Sequence, residues 1–164
     1  MEAGHQSWWV AHTRARCEKK VAGWCEREGW NHELPLLRSR KRYRGKQVEF
    51  LKPLFPGYVF VRMGPQAANR LRSQAAVANL LAPPDQVEFE IQLSEICRAT
   101  DGGLAIRAVP EVLAGRRVRI RTGPLEDLEG LVIESGGSRE VILRLDFIGQ
   151  AAAIHVAFED LEVV

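Results

Sequence analysis

Residues 113–164 alternate between apolar and polar side chains with a period of two, the pattern of short strands that bury one face. In GRRVRIRTG, Val118 and Ile120 fall on one side and the arginines on the other. The strand EVILRLDFIG repeats the alternation, and a hairpin at Gly136–Gly137 is predicted between it and LVIES. AAAIHVAFEDLEVV completes a set of five predicted strands, which is typical of a small SH3-like β-barrel.

Residues 1–98 mix strand and helix patterns instead. Ser7–Thr13 is an aromatic and β-branched run, and Tyr58–Met63 follows a Pro-Gly turn with apolar residues on both faces except Arg62. Residues 16–28 carry apolar side chains at helical spacing, with Gly29 as the predicted stop. Further helices are expected at 66–73 and 92–100 and a strand at 78–82. The order β-α-β-β-β-α-β-α predicts an α+β fold with a ferredoxin-like layout.

The distribution of charge also divides the chain into two domains. Residues 1–98 hold 16 Lys and Arg against 10 Asp and Glu, a net charge of +6, whereas residues 99–164 hold 7 against 11, a net charge of −4. Gly102–Gly103 and Pro110 interrupt any regular pattern between them. The sequence therefore predicts a domain over 1–98 with an anionic partner, a linker over 99–112 and a β-barrel domain over 113–164.

Two cationic segments are candidates for contact with nucleic acid. Between Arg38 and Lys46 six of nine residues are basic, with Gly45 at the expected tip of a hairpin. Such a density of cations predicts a polyanionic partner, and Tyr43 would either stack on a base or pack on the hairpin. The predicted nucleic-acid-facing residues of this hairpin are Arg38, Arg40, Lys41, Arg42, Arg44 and Lys46. A second set, either DNA-facing or simply solvated, is Arg14, Arg16, Lys19 and Lys20.

Other classes of protein are disfavoured by composition. With 46% apolar and 27% charged residues the chain has the profile of a globular protein, and no apolar run approaches the ~20 residues of a membrane span. The amino terminus lacks a secretion signal, so we expect a cytoplasmic protein. Three cysteines and four histidines are scattered without metal-ligand spacing, and no catalytic set is visible. We therefore expect no metal, no cofactor and no enzymatic activity.

Several motifs carry a resemblance to a known family. WWVAHTRARCEKKVAGWCEREG contains W-x-V-x-x-T-x-x-x-x-E-K-K, and PLFPGYVFVRM follows it. Together they resemble the N-terminal domain of the NusG transcription factors. GRRVRIRTGPLEDLEGLVIE and DFIGQAAAIHVAFEDLEVV resemble the start and end of that family's C-terminal KOW domain.

The resemblance implies a transcription elongation or antitermination factor. The family's N-terminal domain binds the clamp helices of the large RNA polymerase subunit through an apolar pocket, closes over the DNA channel and suppresses pausing. It lies next to upstream or non-template DNA, which the two cationic segments would face. The residues of this chain at the pocket positions are His12, Phe55, Pro56, Tyr58, Phe60 and either Leu80 or Leu81. Alternatively, these aromatic residues fill the core of the sheet.

The resemblance also implies a partner for the KOW domain, namely the termination factor Rho or a ribosomal protein of the small subunit. Phe147 and Ile148 in the DFIGQA loop would be the apolar contacts, although Phe147 also has the phase of a barrel-core residue.

The compact hairpin resembles that of the specialised RfaH-like paralogues. Asn69, Arg70 and Leu71 replace the His-Thr-Thr triplet with which RfaH contacts the polymerase gate loop. We expect a monomer without membrane association; an RNA-binding or ribosome-associated KOW protein is the alternative.

Overall fold

The computed structural model describes residues 5–102, 105–110, 116–123, 125–135, 138–156 and 160–164. The chain forms two compact units, Met1–Glu88 and Phe89–Val164. The division falls ten residues before the predicted end of the first domain at residue 98. Across the described ranges, no helix is both long and apolar enough to cross a membrane.

The first unit is built on a four-stranded antiparallel sheet with a separate two-stranded hairpin. The sheet order is β2-β5-β1-β6, and β3 pairs only with β4 among the described strands. The elements are β1 (Ser7–Thr13), α1 (Glu18–Glu28), β2 (Asn31–Glu33), β3 (Leu36–Tyr43), β4 (Lys46–Pro53), β5 (Tyr58–Met63), α2 (Pro65–Arg72), β6 (Val77–Leu81) and the start of α3 (Gln86–Asp101).

The main core of this unit lies between one face of the sheet and the helices α1 and α2. Ala11, Val59 and Val61 project from the sheet into the same cluster as Val21 of α1 and Leu71 of α2. On the opposite face of the same strands, Val10 and Phe60 are also buried. The prediction that β5 is apolar on both faces is thus confirmed, and it follows from burial on both sides of the sheet.

The cysteine at the centre of α1 belongs to this core. Cys25 is buried among the apolar side chains of the cluster, and burial raises the pKa of its thiol to about 11. A thiol with so high a pKa is a poor nucleophile at neutral pH. Cys17 and Cys97 are half-buried, and none of the three cysteines forms a disulfide.

Most element predictions in the first unit are confirmed, with differences at the ends. Helix α1 begins at Glu18 rather than at residue 16, because Arg16 has a φ of +63° and is not helical. Gly29 ends α1 as predicted, with a left-handed φ of +75°. The polar strand β2 was not predicted, because its three residues pair with β5 without any apolar alternation of their own.

The second unit contains the rest of α3 and a six-stranded antiparallel sheet in the order β12-β8-β9-β10-β11-β7. The strands are β7 (Ile106–Pro110), β8 (Arg116–Ile120), β9 (Glu129–Ser135), β10 (Ser138–Leu145), β11 (Gln150–His155) and β12 (Leu161–Val163), with a 3-10 turn at Asp146–Ile148. The five strands predicted within 113–164 correspond to β8–β12. The predicted linker 99–112 is not free of regular structure, since it contains β7, which pairs with β11. Gly103 and the predicted Gly136–Gly137 hairpin lie outside the described residues, while β9 and β10 on either side of that hairpin pair as expected.

Burial on the two faces of this sheet does not follow the simple apolar/polar alternation of the sequence. Val118, Ile120 and Leu143 are buried as predicted. Ile142 is buried as well, on the opposite face of β10, where it packs with Ala151 and Ala153. Two buried faces on β10 and β11 explain why their sequences, VIL and AAAI, are continuously apolar.

Gly130 provides a test of how closely β9 and β10 approach each other. A Cβ atom at Gly130 would lie 2.5 Å from the carbonyl oxygen of Ile142 and 2.7 Å from Cγ1 of Val141. We expect Gly130→Ala to destabilise the second unit by roughly 1–3 kcal/mol, because backbone must move to relieve the overlap.

Gly23→Ala is the matched control, because a Cβ there would meet only the flexible end of Arg27 at 3.7 Å. In the interior of α1 this change is expected to stabilise by up to about 1 kcal/mol. Urea unfolding followed by circular dichroism measures both. A Gly130→Ala protein as stable as the wild type would contradict the packing described for β9.

Candidate functional site

A Pro-Gly turn presents an aromatic pair at one end of β1 and β5, the two central strands of the first unit's sheet. Gly57 has a φ of +90°, the conformation that the third position of a type II turn requires, and Pro56 precedes it. The turn places Tyr58 directly opposite His12 in the β1–β5 ladder. Their rings are stacked, with centroids 5.1 Å apart and planes inclined by 14°.

A buried carboxylate holds this turn in place. Oε2 of Glu18 accepts a hydrogen bond of 2.7 Å from the backbone N–H of Gly57, and Glu18 is only 8% exposed. The carbonyl oxygen of Gly57 in turn accepts a 2.8 Å bond from the N–H of Thr13. Because Glu18 lies in the first turn of α1, where the helix dipole favours an anion, the helix start and the turn stabilise each other.

Sequence reasoning missed the role of Glu18. The sequence pattern assigned this residue no contact. The available signal was its place in the W-x-V-x-x-T-x-x-x-x-E-K-K motif, where a carboxylate precedes two lysines at a helix start. Only the fold reveals that its partner lies 39 residues away along the chain.

The residues predicted for the polymerase pocket separate into accessible and buried sets. His12 and Pro56 are exposed and Tyr58 is half-buried; these three form what we call the His12 surface. Leu81 is 48% exposed and pairs with Val10, so it lies on the same face of the sheet as His12. The side chains of Phe55, Phe60 and Leu80 are 1%, 0% and 5% exposed and belong to the interior.

The cationic residues around the start of α1 are partly engaged with the backbone of other segments. Nε of Arg14 donates to the carbonyl of Ala75 at 2.7 Å, and Nζ of Lys19 donates to the carbonyl of Leu51 in β4 at 2.7 Å. Arg16 and Lys20 are exposed. Lys19 thus links α1 to the base of the basic hairpin, which brings the two predicted cationic segments together.

The hairpin has the predicted tip. Arg44 and Gly45 have φ values of +51° and +77°, as a type I′ turn requires. Glu49 lies 3.7 Å from the guanidinium of Arg38 and 3.5 Å from that of Arg40. These pairs are exposed, so their energies are small, and the cationic excess of the hairpin persists.

Asn69, Arg70 and Leu71, which stand in place of the His-Thr-Thr triplet, all contact other residues of the chain. Leu71 is fully buried in the core. The guanidinium of Arg70 forms a 2.5 Å ion pair with Glu28 and lies 5.6 Å from the ring centroid of Trp30. Asn69 accepts a 2.7 Å hydrogen bond from Arg72.

In the second unit, α3 contacts the loop that contains the predicted partner-binding residues. Gln92 donates to the carboxylate of Asp146 and accepts from its backbone N–H, each at 2.9 Å. Phe89 lies edge-on to Phe147, with ring centroids 6.3 Å apart. Phe147 therefore stands in the 3-10 turn beside α3 rather than on a strand, which corrects its predicted place on the inward face of a barrel strand. Ile148 is also half-buried.

Comparison with known proteins identifies the family. The family model for the transcription termination factor NusG matches residues 6–99, more than half of the chain. The chain belongs to the NusG family. The transcription termination/antitermination protein NusG of Lactococcus lactis subsp. lactis (strain IL1403) is 29% identical over 175 residues, which cover 96% of this chain and 92% of the relative.

Among solved structures, the crystal structure of the MjSpt4:Spt5 complex in conformation B covers 96% of both chains at 17% identity with a TM-score of 0.32. That score is too low to support a shared arrangement. Family membership makes this NusG-family chain a transcription elongation or termination factor and not an enzyme.

The first site prediction concerns Glu18. Glu18→Ala should destabilise the first unit by roughly 1–3 kcal/mol, because the N–H of Gly57 loses its acceptor. Glu18→Gln retains an acceptor oxygen and should cost less. Lys20→Ala, an exposed change on the same helix, serves as the control in urea unfolding; equal stability of Glu18→Ala and this control would contradict the proposed anchoring.

The two hydrogen bonds between Gln92 and Asp146 can be tested in the same way. Gln92→Ala removes both hydrogen bonds to Asp146 and should destabilise the second unit by about 1–2 kcal/mol. It should also shift the amide resonances of Asp146–Ile148 in NMR spectra of the full chain. Ser94→Ala, exposed on the same helix, should leave both unchanged. Unperturbed resonances in Gln92→Ala would show that α3 does not order this loop.

Proposed function

We propose that this NusG-family chain binds bacterial RNA polymerase, at the clamp helices of the large subunit, and acts as an elongation and antitermination factor that suppresses pausing or termination. The observation that carries the proposal is the stacked, solvent-accessible pair of His12 and Tyr58 on a turn fixed by Glu18. Such a factor would act in the cytoplasm as a monomer.

Two physical properties favour the His12 surface as a protein-binding site. Aromatic side chains dominate interface energies, and an anchor that is already rigid loses little entropy when it binds. Pro56 restricts the backbone, and the stacked rings restrict each other. Phe55 and Phe60, proposed from the family as pocket residues, would support this surface from inside the fold.

We also propose that the cationic segments face upstream or non-template DNA. The hairpin and the start of α1 are joined by the Lys19–Leu51 hydrogen bond, so their cations form a continuous feature of one unit. Binding through phosphate contacts would weaken steeply as salt increases.

We propose that residues 1–98 form a ferredoxin-like N-terminal domain, and that residues 113–164 form a KOW-type SH3-like barrel that recruits Rho or a small-subunit ribosomal protein. Its apolar contacts would be Ile148 and, once α3 is displaced, Phe147, because Phe89 packs against that ring here. At the triplet positions Leu71 is buried, and Arg70, although exposed, is paired with Glu28. The compact β3–β4 hairpin favours a specialised RfaH-like paralogue, which we propose here, and the replacement of the triplet implies a reduced second polymerase contact.

A pull-down with purified bacterial RNA polymerase and the full chain tests this proposal. The double variant His12→Ala with Tyr58→Ala should bind at least ~30-fold more weakly, as expected when a central aromatic anchor is lost. His12 is exposed and Tyr58 is only half-buried, so the fold should persist, as circular dichroism of the double variant checks.

Tyr43→Ala is the matched control, since it removes an exposed aromatic residue from the hairpin instead. It should retain polymerase. Failure of the wild type to bind, or full binding by the double variant, would contradict the proposal. The first of these outcomes would favour the RNA-binding or ribosome-associated alternative.

A further inference from the structure

The β3–β4 hairpin has two chemically different faces. The register pairs Arg40 with Glu49 on one face, and Lys41 with Val48 on the other. Because side chains alternate along a strand, the first face carries the arginines of β3 (Arg38, Arg40 and Arg42) together with Glu49. We call it the arginine face. The second face carries Leu37, Ser39, Lys41, Tyr43, Lys46, Val48, Phe50 and Lys52. We call the second the aromatic face; it contains three lysines and no acidic residue.

The aromatic residues of this face are not used to build a core. Tyr43 is 66% exposed, Val48 44% and Phe50 36%. Two rings and a valine on one narrow ribbon form an exposed apolar patch, and such patches commonly mark interaction sites. Within the described ranges, the hairpin's own sheet contains just β3 and β4.

Each ring has a cation beside it. Nζ of Lys41 lies 5.8 Å from the ring centroid of Phe50, and the guanidinium carbon of Arg44 lies 5.7 Å from that of Tyr43. A ligand that combines flat apolar groups with regularly spaced anions matches this arrangement. Single-stranded nucleic acid has both, since its bases offer unpaired π faces and its backbone a phosphate at every nucleotide.

We propose that the aromatic face of the hairpin binds single-stranded nucleic acid, with Tyr43 and Phe50 stacking on bases and Lys41, Lys46 and Arg44 contacting phosphates. This rests on the proposed nucleic-acid-facing role of the hairpin and specifies the form of its ligand. Tyr43 and Phe50 lie four residue rows apart, or about 13 Å along the ribbon, so they take two separate bases of one strand.

A duplex fits the aromatic face less well than a single strand. The faces of paired bases are covered by their neighbours in the stack, so the rings of Tyr43 and Phe50 would gain no stacking from a duplex. The arginine face differs in this respect, because phosphates of either form satisfy Arg38, Arg40 and Arg42 equally. Loss of the two rings should therefore weaken binding of the single strand alone, whereas loss of the arginines should weaken binding of both the single strand and the duplex.

The test is fluorescence anisotropy with the full chain and a labelled DNA oligonucleotide of about 12 nucleotides, as a single strand and as the matching duplex. Tyr43→Leu with Phe50→Leu keeps the charges and the apolar bulk but removes both π faces. It should weaken single-strand binding about 10-fold or more while duplex binding stays unchanged. Leu51→Ala, an exposed apolar residue on the arginine face, should change neither.

The double variant Arg38→Gln with Arg40→Gln should weaken binding of both single-stranded and duplex DNA, and it should reduce the dependence of affinity on salt concentration. Unchanged duplex binding by the leucine variant also verifies that its hairpin is folded. The proposal is overturned if the leucine variant loses affinity for single-stranded and duplex DNA equally, or if it loses affinity for neither. It is also overturned if the wild type does not bind the single strand. The polymerase pull-down uses different residues, so these failures are distinguishable from failure of polymerase binding.

Discussion

The hydrogen bond from the N–H of Gly57 to the carboxylate of Glu18 is the contact on which the candidate site depends. It joins the start of α1 to the turn that begins β5, and β5 lies between β1 and β2 in the sheet. Through this bond the helix that covers one face of the sheet fixes the side chains displayed on the other. A carboxylate at 8% exposure is retained here because it is hydrogen-bonded and lies at a helix N-terminus.

Two surfaces of the first unit follow from this arrangement, and they differ in chemistry. The His12 surface is aromatic and nearly uncharged, and it rests on a double-sided core. The hairpin is cationic, projects as a two-stranded ribbon and is connected to α1 by the Lys19–Leu51 bond. A rigid apolar surface suits a protein partner, whereas a ribbon rich in lysine and arginine suits a nucleic acid. The two proposals thus assign the polymerase and the nucleic acid to different surfaces of one unit.

The sequence predicts those features that are encoded in neighbouring residues. Periodicity identified β1, β5 and α1, and Gly45 and Gly57 marked turns that require positive φ. It could not identify contacts between distant segments. The contact of Glu18 was not predicted, the environment of Phe60 stayed open between pocket and core, and β7 was predicted as linker, because these environments are created by pairing across the fold. The same limit explains α3, whose Gln92 and Phe89 contact residues more than fifty positions later.

Hydrogen–deuterium exchange of the full chain, with and without purified bacterial RNA polymerase, tests the central claim most directly. Polymerase should slow exchange in the segment around Pro56–Gly57 and at the start of β5. Exchange in the second unit should not slow in the absence of its own partner. Protection confined to the second unit, with the Pro56–Gly57 turn unchanged, would contradict the assignment of the His12 surface as the polymerase-binding site.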